Sequence, residues 1–448
     1  MTDHLAALTS ALLGVAKKSG ADAADAIATD GASLSINVLS GKLEHAERAE
    51  GVEIGLRVLV GKRQACVSAS DSSPETIAVV AERAVEMAKL APEDPYIGLA
   101  DANQLAINWD LKSLELSEMA PEPDPAELQE FATRAEAAAL ALEGITQADS
   151  AAAFYSQSSI HLAATNGFSG GYRRTAYGLS CVAITGSGTS MERDYFGDSR
   201  VFRDDMTDPE EIGRIAGERT LARRGARKPP TGSFPVLYDE RVASSLIGHL
   251  TQAANGMMVA RGSSWLRDKL GQQVLPKGLS ITEDPHRQRI GGSRPFDAEG
   301  LPTHVRKIVD DGVLTGWTLD LATARQLGLE STGNATRGTG SPPTPRTGNI
   351  NLTEGSESRD DLIRGMGTGI LVTSLIGSSI NPTTGDYSRG ASGFWVESGE
   401  ITYPVNECTI AGNLHDMLAS IRPANDARHH LNRVIPSLLV EGLTIAGE

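Results

Sequence analysis

Three cysteines in 448 residues are too few for a disulfide framework. Cys66, Cys181 and Cys408 form no C-x-x-C pair and sit in apolar or strand-like surroundings. They read as buried reduced thiols in a reducing compartment. Aromatic residues are scarce as well, at 4%, so the cores must be built mainly from Ala, Leu, Ile and Val. Positive charge is outnumbered: 41 Lys and Arg face 57 Asp and Glu, a formal net charge of -16. A nucleic-acid binder needs a basic face to neutralise phosphates. The densest basic run is Arg219, Arg223, Arg224, Arg227 and Lys228. It reads as the end of a helix complementing the macrodipole and passing into a solvated linker. The longest uncharged stretch, 365–385, is full of Gly, Ser and Thr and is broken by Pro382, so it is no membrane span. Met1-Thr2-Asp3-His4 is not a basic signal-peptide head. These absences predict a soluble, cytoplasmic protein with no nucleic-acid or membrane partner.

Several chemical motifs are missing too. There is no G-x-S-x-G elbow, no Walker A sequence and no G-x-G-x-x-G after a strand. Ser, His and Asp occur without a spacing that pins a triad. The nine histidines include one adjacent pair, His429-His430, whose side chains diverge on a helix or a strand.

What is present is a long chain with a repeated order of elements. Its length suggests two or three domains, and its 47 glycines suggest many turns and close backbone approaches. The periodicity predicts a helix over 3–19, with Thr2 as N-cap and Leu5, Leu8 and Leu12 on one face. Strand-like runs follow at 25–29, 33–39, 43–47 and 52–60, then a helix from Ser73-Pro74-Glu75 to about Leu90. After Pro121-Glu122-Pro123-Asp124 a second set opens: a helix over 125–143, strands from 146 to 198 with an Asn166-Gly167 turn, and a helix from Asp208-Pro209 to about Arg224. The pattern predicts an α+β domain over 1–228, made of two similar helix and antiparallel-strand halves, 1–115 and 124–228. Arg227-Lys228-Pro229-Pro230-Thr231-Gly232 reads as the linker. Beyond it, 233–448 reads as a β-rich, barrel-like antiparallel domain that begins with a strand at 234–238 and a helix at 239–258.

The densest signal lies near the C-terminus. Gly385, Asp386, Tyr387, Ser388, Arg389 and Gly390 form a Gly-flanked loop ahead of a hairpin. Phe394, Trp395 and Val396 lead into a Ser398-Gly399 turn, and Ile401, Tyr403 and Val405 alternate on the return arm. The stretch continues as Thr409-Ile410-Ala411-Gly412-Asn413-Leu414. It resembles the C-terminal signature of the PmbA/TldE proteins, partner subunits of the TldD/TldE metallopeptidases. Met191-Glu192-Arg193-Asp194-Tyr195, Pro295-Phe296-Asp297-Ala298-Glu299-Gly300 and the run from Ala322 to Gly333 carry the same resemblance over nearly the whole chain.

The helix after Tyr238 carries Ser244-Ser245-Leu246-Ile247-Gly248-His249. In the metal-bearing TldD-type subunits the matching segment is H-E-x-x-x-H, two His gripping a metal beside a general-base Glu. Here His249 matches the second His, while Ser244 and Ser245 replace the first His and the Glu. The TldD-type cysteine ligand near the C-terminus also has no counterpart, since no cysteine follows Cys408. The resemblance therefore implies a metal-less subunit of a cytoplasmic heterodimer, with no cofactor of its own. The zinc is expected in a TldD-like partner that cuts unfolded peptides in an enclosed chamber, and an isolated chain is open to homodimer formation. The segment from Gly385 to Gly390 is the candidate for the substrate channel, a role Gly serves by letting a peptide backbone come close. A second Gly-rich segment, Ser331–Gly338, and a third, Gly365–Gly369, read as corners and turns of the barrel. Two other readings stay open: a self-sufficient hydrolase with an unrecognised site, and a regulatory scaffold. Older labels in the family speak of modulating DNA gyrase, and the charge gives no support to direct DNA contact.

Overall fold

A computed structural model describes residues 3–447. Helix α1 (Asp3–Lys18) buries Leu5, Leu8 and Leu12 along one stripe; the N-cap expected at Thr2 lies outside the described residues. Strands β1 (Ala23–Leu39), β2 (Lys42–Val60) and β3 (Arg63–Ala69) follow, then helix α2 (Pro74–Leu90). The Ser73 side chain caps α2 by accepting the Thr76 N–H, and Pro74 sits in its first turn. Helix α3 (Pro125–Leu140), strands β4 (Ile145–Ala164), β5 (Ser169–Thr185) and β6 (Glu192–Arg200), and helix α4 (Pro209–Ala222) repeat that order.

The six strands make one antiparallel sheet in the order β3-β2-β1-β4-β5-β6. The runs expected separately at 25–29 and 33–39 are one strand, and so are those at 43–47 and 52–60. Gly31 and Gly51 stand opposite each other in register and interrupt the apolar pattern without breaking the backbone ladder. The long β1 serves two cores. Ala24, Ala26 and Ala28 pack with α1 and α2, while Leu34, Ile36 and Val38 pack with α3 and α4. The other face of β1 carries Asp25 and Ile27, which meet the C-terminal half of the chain.

That half begins with β7 (Gly232–Tyr238) and helix α5 (Glu240–Ala253). Strands β8 (Gly369–Ile380), β9 (Asp386–Glu397), β10 (Glu400–Asn413) and β11 (Leu438–Ala446) come much later. They pair in the order β10-β9-β8-β7-β11, and a further β10–β11 pairing closes the ring into a five-stranded barrel. β7 and β8 run parallel and the other pairs antiparallel. The predicted turn between β9 and β10 is present: Ser398 and Gly399 have φ of 54 and 78, both positive as a two-residue hairpin loop requires. Val236, Tyr238, Ile370, Val372 and Trp395 share a core with Leu246, Ile247 and Leu250 of α5. Short strands between 281 and 434 build a second, five-stranded sheet beside the barrel.

Two local expectations change and a third is modified. Helix α5 ends at Ala253 rather than near 258. Asn255 caps a separate short turn of helix, Gly256–Ala260, and the Gly256 N–H is taken by the Thr318 carbonyl at 2.8 Å. The segment from Gly385 to Gly390 is not a loop, because β9 begins at Asp386. The basic run ends the helix and is exposed at Arg224, Arg227 and Lys228 as expected, but it is also tied to the protein at two points. Arg223 pairs with Glu192 and Asp194, and Arg227 stacks 3.6 Å over the Tyr403 ring while its N–H bonds the Pro404 carbonyl. Charged side chains of this kind can lay their stems on a neighbouring surface while the charged head stays in water. No helix among the described residues is long and apolar enough to cross a membrane.

Candidate functional site

Helix α5 carries the positions at issue. Asp239 caps it by accepting the Arg241 N–H, and its apolar residues anchor it to the barrel, so its polar face is fixed. Ser244 and Ser245 line a cavity of about 620 Å³ between the barrel and the edge of the large sheet, together with Arg193, Asp194, Arg241 and Arg389. Ser245 also lines a neighbouring cavity of about 390 Å³ with His249, Arg346 and Arg433. Arg346, Thr347 and Arg433 in turn line a third cavity, of about 520 Å³, between the large sheet and the C-terminal half. The first and second adjoin at Ser245 and the second and third at Arg346, Thr347 and Arg433, a groove whose first two parts lie along α5.

A network of buried charge closes one side of the groove. Arg241 lies 3.2 Å from Asp194 and 3.0 Å from Asp239. Arg359 reaches Asp239 at 3.1 Å, and Arg223 donates to the Ser392 hydroxyl at 3.0 Å. These links tie β6 and α4 to α5 and β9. Burial disfavours the Asp239 carboxylate, yet the Arg241 and Arg359 guanidiniums outweigh it and hold its pKa below the ordinary value. His249 is held low by burial and by the charge of Arg389, which keeps its imidazole neutral near pH 7. Its ring meets Tyr387 edge-on, with centroids 6.0 Å apart, and its buried Nε2 has no hydrogen-bond partner. The Ser245 hydroxyl donates back to the Val242 carbonyl at 2.7 Å and so is turned onto its own helix.

Three successive segments match family profiles: residues 24–88 match the PmbA/TldA metallopeptidase domain 1, 119–224 its central domain and 231–447 its C-terminal domain. Metalloprotease PmbA of Escherichia coli O157:H7 is 38% identical over 429 residues, which cover 95% of this chain and 93% of that protein. The chain belongs to the PmbA/TldD metallopeptidase family. A PmbA homologue of Haemophilus influenzae is 37% identical, across 97% of this chain and 94% of that one. Among solved structures, a Bacteroides thetaiotaomicron protein named as a suspected modulator of DNA gyrase superposes with a TM-score of 0.92 at 26% identity, covering 100% of both chains. TldE from Thermococcus kodakarensis has the same fold, with a TM-score of 0.86 at 21% identity over 98% of this chain and 100% of that one.

Within this PmbA/TldD-family fold, the three α5 positions read from sequence all fall on the groove. The signature segment divides. Arg389 reaches the groove and donates to the Gly377 carbonyl at 2.7 Å. Tyr387 is 2% exposed and belongs to the core. Gly385 and Asp386 sit at the far turn, where the Asp386 carboxylate accepts from Thr384 and Asn413. Ser388 and Gly390 are strand residues paired to β8 and β10. Asp386 and Arg389 stay apart, because residues three apart in a strand project to opposite faces. Sequence reasoning missed Arg346, which follows a two-residue strand, and Arg433, which opens another, because neither has a motif around it. It quoted the runs containing Asp297 and Arg337 but read them as turns or as family resemblance.

Proposed function

We propose that this chain is the metal-less, TldE/PmbA-type subunit of a cytoplasmic heterodimeric TldD/TldE metallopeptidase that degrades or processes unfolded peptides. The observation that carries this reading is the side-chain set on α5. One neutral imidazole, His249, and two serine hydroxyls, one of them turned onto its own helix, stand beside the positive charge of Arg389. Hydroxyls are poor zinc ligands beside imidazole or thiolate, and a fixed guanidinium repels a divalent cation. This set does not fit a zinc ion, and without a carboxylate in place of Ser245 it offers no base for a metal-bound water. The zinc belongs to a TldD-like partner, and the isolated chain is open to self-association until that partner is supplied. The relatives named as metalloproteases support the reaction class. The free thiols of Cys66, Cys181 and Cys408 suit a reducing cytoplasm.

The chain's contribution is then a wall. The groove along α5 is lined by polar and apolar surface in similar measure, and an extended peptide can lie in it while the partner cuts. The test is co-expression with a metal-bearing paralogue, followed by metal analysis and turnover of a long unstructured peptide. The mixture should cleave, and this chain alone should not. Cleavage by the partner alone at the rate of the mixture overturns the accessory role.

A further inference from the structure

We infer that the part of the groove between the large sheet and the C-terminal half is an anion site that seats carboxylates of a bound peptide, so that this subunit selects acidic peptides. The inference rests on the peptide-holding reading above for the class of ligand. Its other support is a local imbalance of charge. Five arginines, Arg174, Arg294, Arg337, Arg346 and Arg433, line this cavity of about 520 Å³, against one carboxylate, Asp297. The Asp297 oxygens are already occupied by the N–H groups of Glu299, Leu301 and Ala335, at 2.9, 2.9 and 3.0 Å. Arg174 is engaged with the carbonyls of Gly291 and Ser293. Arg294, Arg346 and Arg433 take part in no ion pair among the described residues.

Burial sharpens the imbalance. The Arg337 side chain is 0% exposed and shares one carboxylate, Asp25, with a second buried guanidinium, Arg57. Its buried Nη2 has no hydrogen-bond partner, and neither has the buried Nε of Arg294. An unpaired donor out of reach of water is costly, and neighbouring like charges add to the cost. Partial loss of hydration and the charge of Arg346 both hold the Arg433 guanidinium below its ordinary pKa. A chain with a net charge of -16 has nonetheless gathered three guanidiniums without a carboxylate partner at one place, although Arg294 donates to the Arg346 carbonyl. The guanidinium fork matches a carboxylate in two parallel hydrogen bonds. The flanking walls, Ile27, Leu162, Tyr172 and Phe296, suit the apolar parts of a peptide, and the cavity continues into the one beside His249 through Arg346 and Arg433.

The test uses fluorescence anisotropy on the purified full chain, with three labelled peptides of equal length. One is a Gly/Glu peptide with an amidated end, one its Gly/Gln counterpart, and one the Gly/Gln peptide with a free C-terminal carboxylate. At low salt the Glu peptide, the free-acid peptide or both should bind about tenfold more tightly than the amidated Gln peptide, the size of one charge-assisted contact. The preference should shrink as salt rises. Binding of the Glu peptide alone assigns the site to side-chain carboxylates, and binding of the free acid alone assigns it to chain ends. The R346Q/R433Q variant should lose the preference, and R346K/R433K, which keeps the charge, should retain part of it. Equal binding of all three peptides, or a preference undiminished in R346Q/R433Q, overturns the inference. Displacement of the Glu peptide by oligothymidylate more readily than by unlabelled Glu peptide also overturns it, in favour of a nucleic acid. No preference in the unsubstituted chain, with intact peptide turnover by the two-subunit complex, defeats this site alone. An intact preference without turnover defeats the peptidase-subunit reading alone.

Discussion

Substitution of Asp25 by Asn should be among the most damaging single changes in this chain. Asp25 stands opposite Arg57 in the β1–β2 register. Its Oδ2 accepts from Arg57 Nε at 2.7 Å and from Nη2 at 2.5 Å, while Oδ1 accepts from Arg337. The side chains of Asp25, Arg57 and Arg337 are 5%, 4% and 0% exposed. Asn keeps the shape and removes the carboxylate that Arg57 and Arg337 share. Breaking a buried pair by removing one partner costs about 3–5 kcal/mol, a large share of the roughly 5–15 kcal/mol that holds a protein folded. With a slope of about 3 kcal/mol per molar urea, the unfolding midpoint should drop by about 1 M or more. Because Arg337 comes from the C-terminal half, amide exchange should accelerate first around 23–28 and 335–338, before the barrel loosens. Replacing the whole triad with Asp25→Leu, Arg57→Met and Arg337→Met should restore most of the loss, since apolar groups of similar volume avoid the desolvation penalty. A loss below about 1 kcal/mol for Asp25→Asn would refute the reasoning. So would a triple variant no more stable than the single one.

Burial, followed by the charges of Asp297 and Asp320, pushes the Glu299 pKa up to about 8. The folded state therefore holds a proton that the unfolded state releases near the ordinary value of 4.5, so stability should fall as pH rises from about 4.5 to about 8. Glu299→Gln should flatten that slope in a series of urea titrations. The purified chain should carry no stoichiometric zinc; about one zinc per chain by metal analysis, lost in His249→Ala, would contradict the reading of α5. A Cβ at Gly393 would lie 1.9 Å from the Leu371 carbonyl oxygen, so Gly393→Ala should cost at least about 3 kcal/mol or prevent folding, as thermal unfolding would show. A Cβ at Gly390 would lie 3.2 Å from the Ile376 oxygen. Gly390→Val should then lower peptide turnover by the two-subunit complex more than its assembly, compared by cleavage assay and size-exclusion chromatography.

Much of the local structure could be read directly from residue types. Ser73-Pro74 starts α2, Asp208-Pro209 starts α4, and Ser398-Gly399 turns the last hairpin, because caps and turns depend on neighbours a few residues away. That Ser244, Ser245 and His249 share one helix was legible for the same reason. Tertiary structure decided the rest. The parallel pairing of β7 with β8 joins Val236 to Ile370, and the ring closes where Thr409 meets Ala446. Such long-range partners leave no periodic trace in either segment. Gly31 and Gly51 looked like breaks and are ladder positions, since each is held by a partner strand that local propensity does not see. Arg294, Arg337, Arg346 and Arg433 come from separate places in the C-terminal half and meet Arg174 of the large sheet only when the two pack together. Local hydrogen bonding is written in adjacent residues, whereas a cluster of charge is created by burial that brings distant segments together.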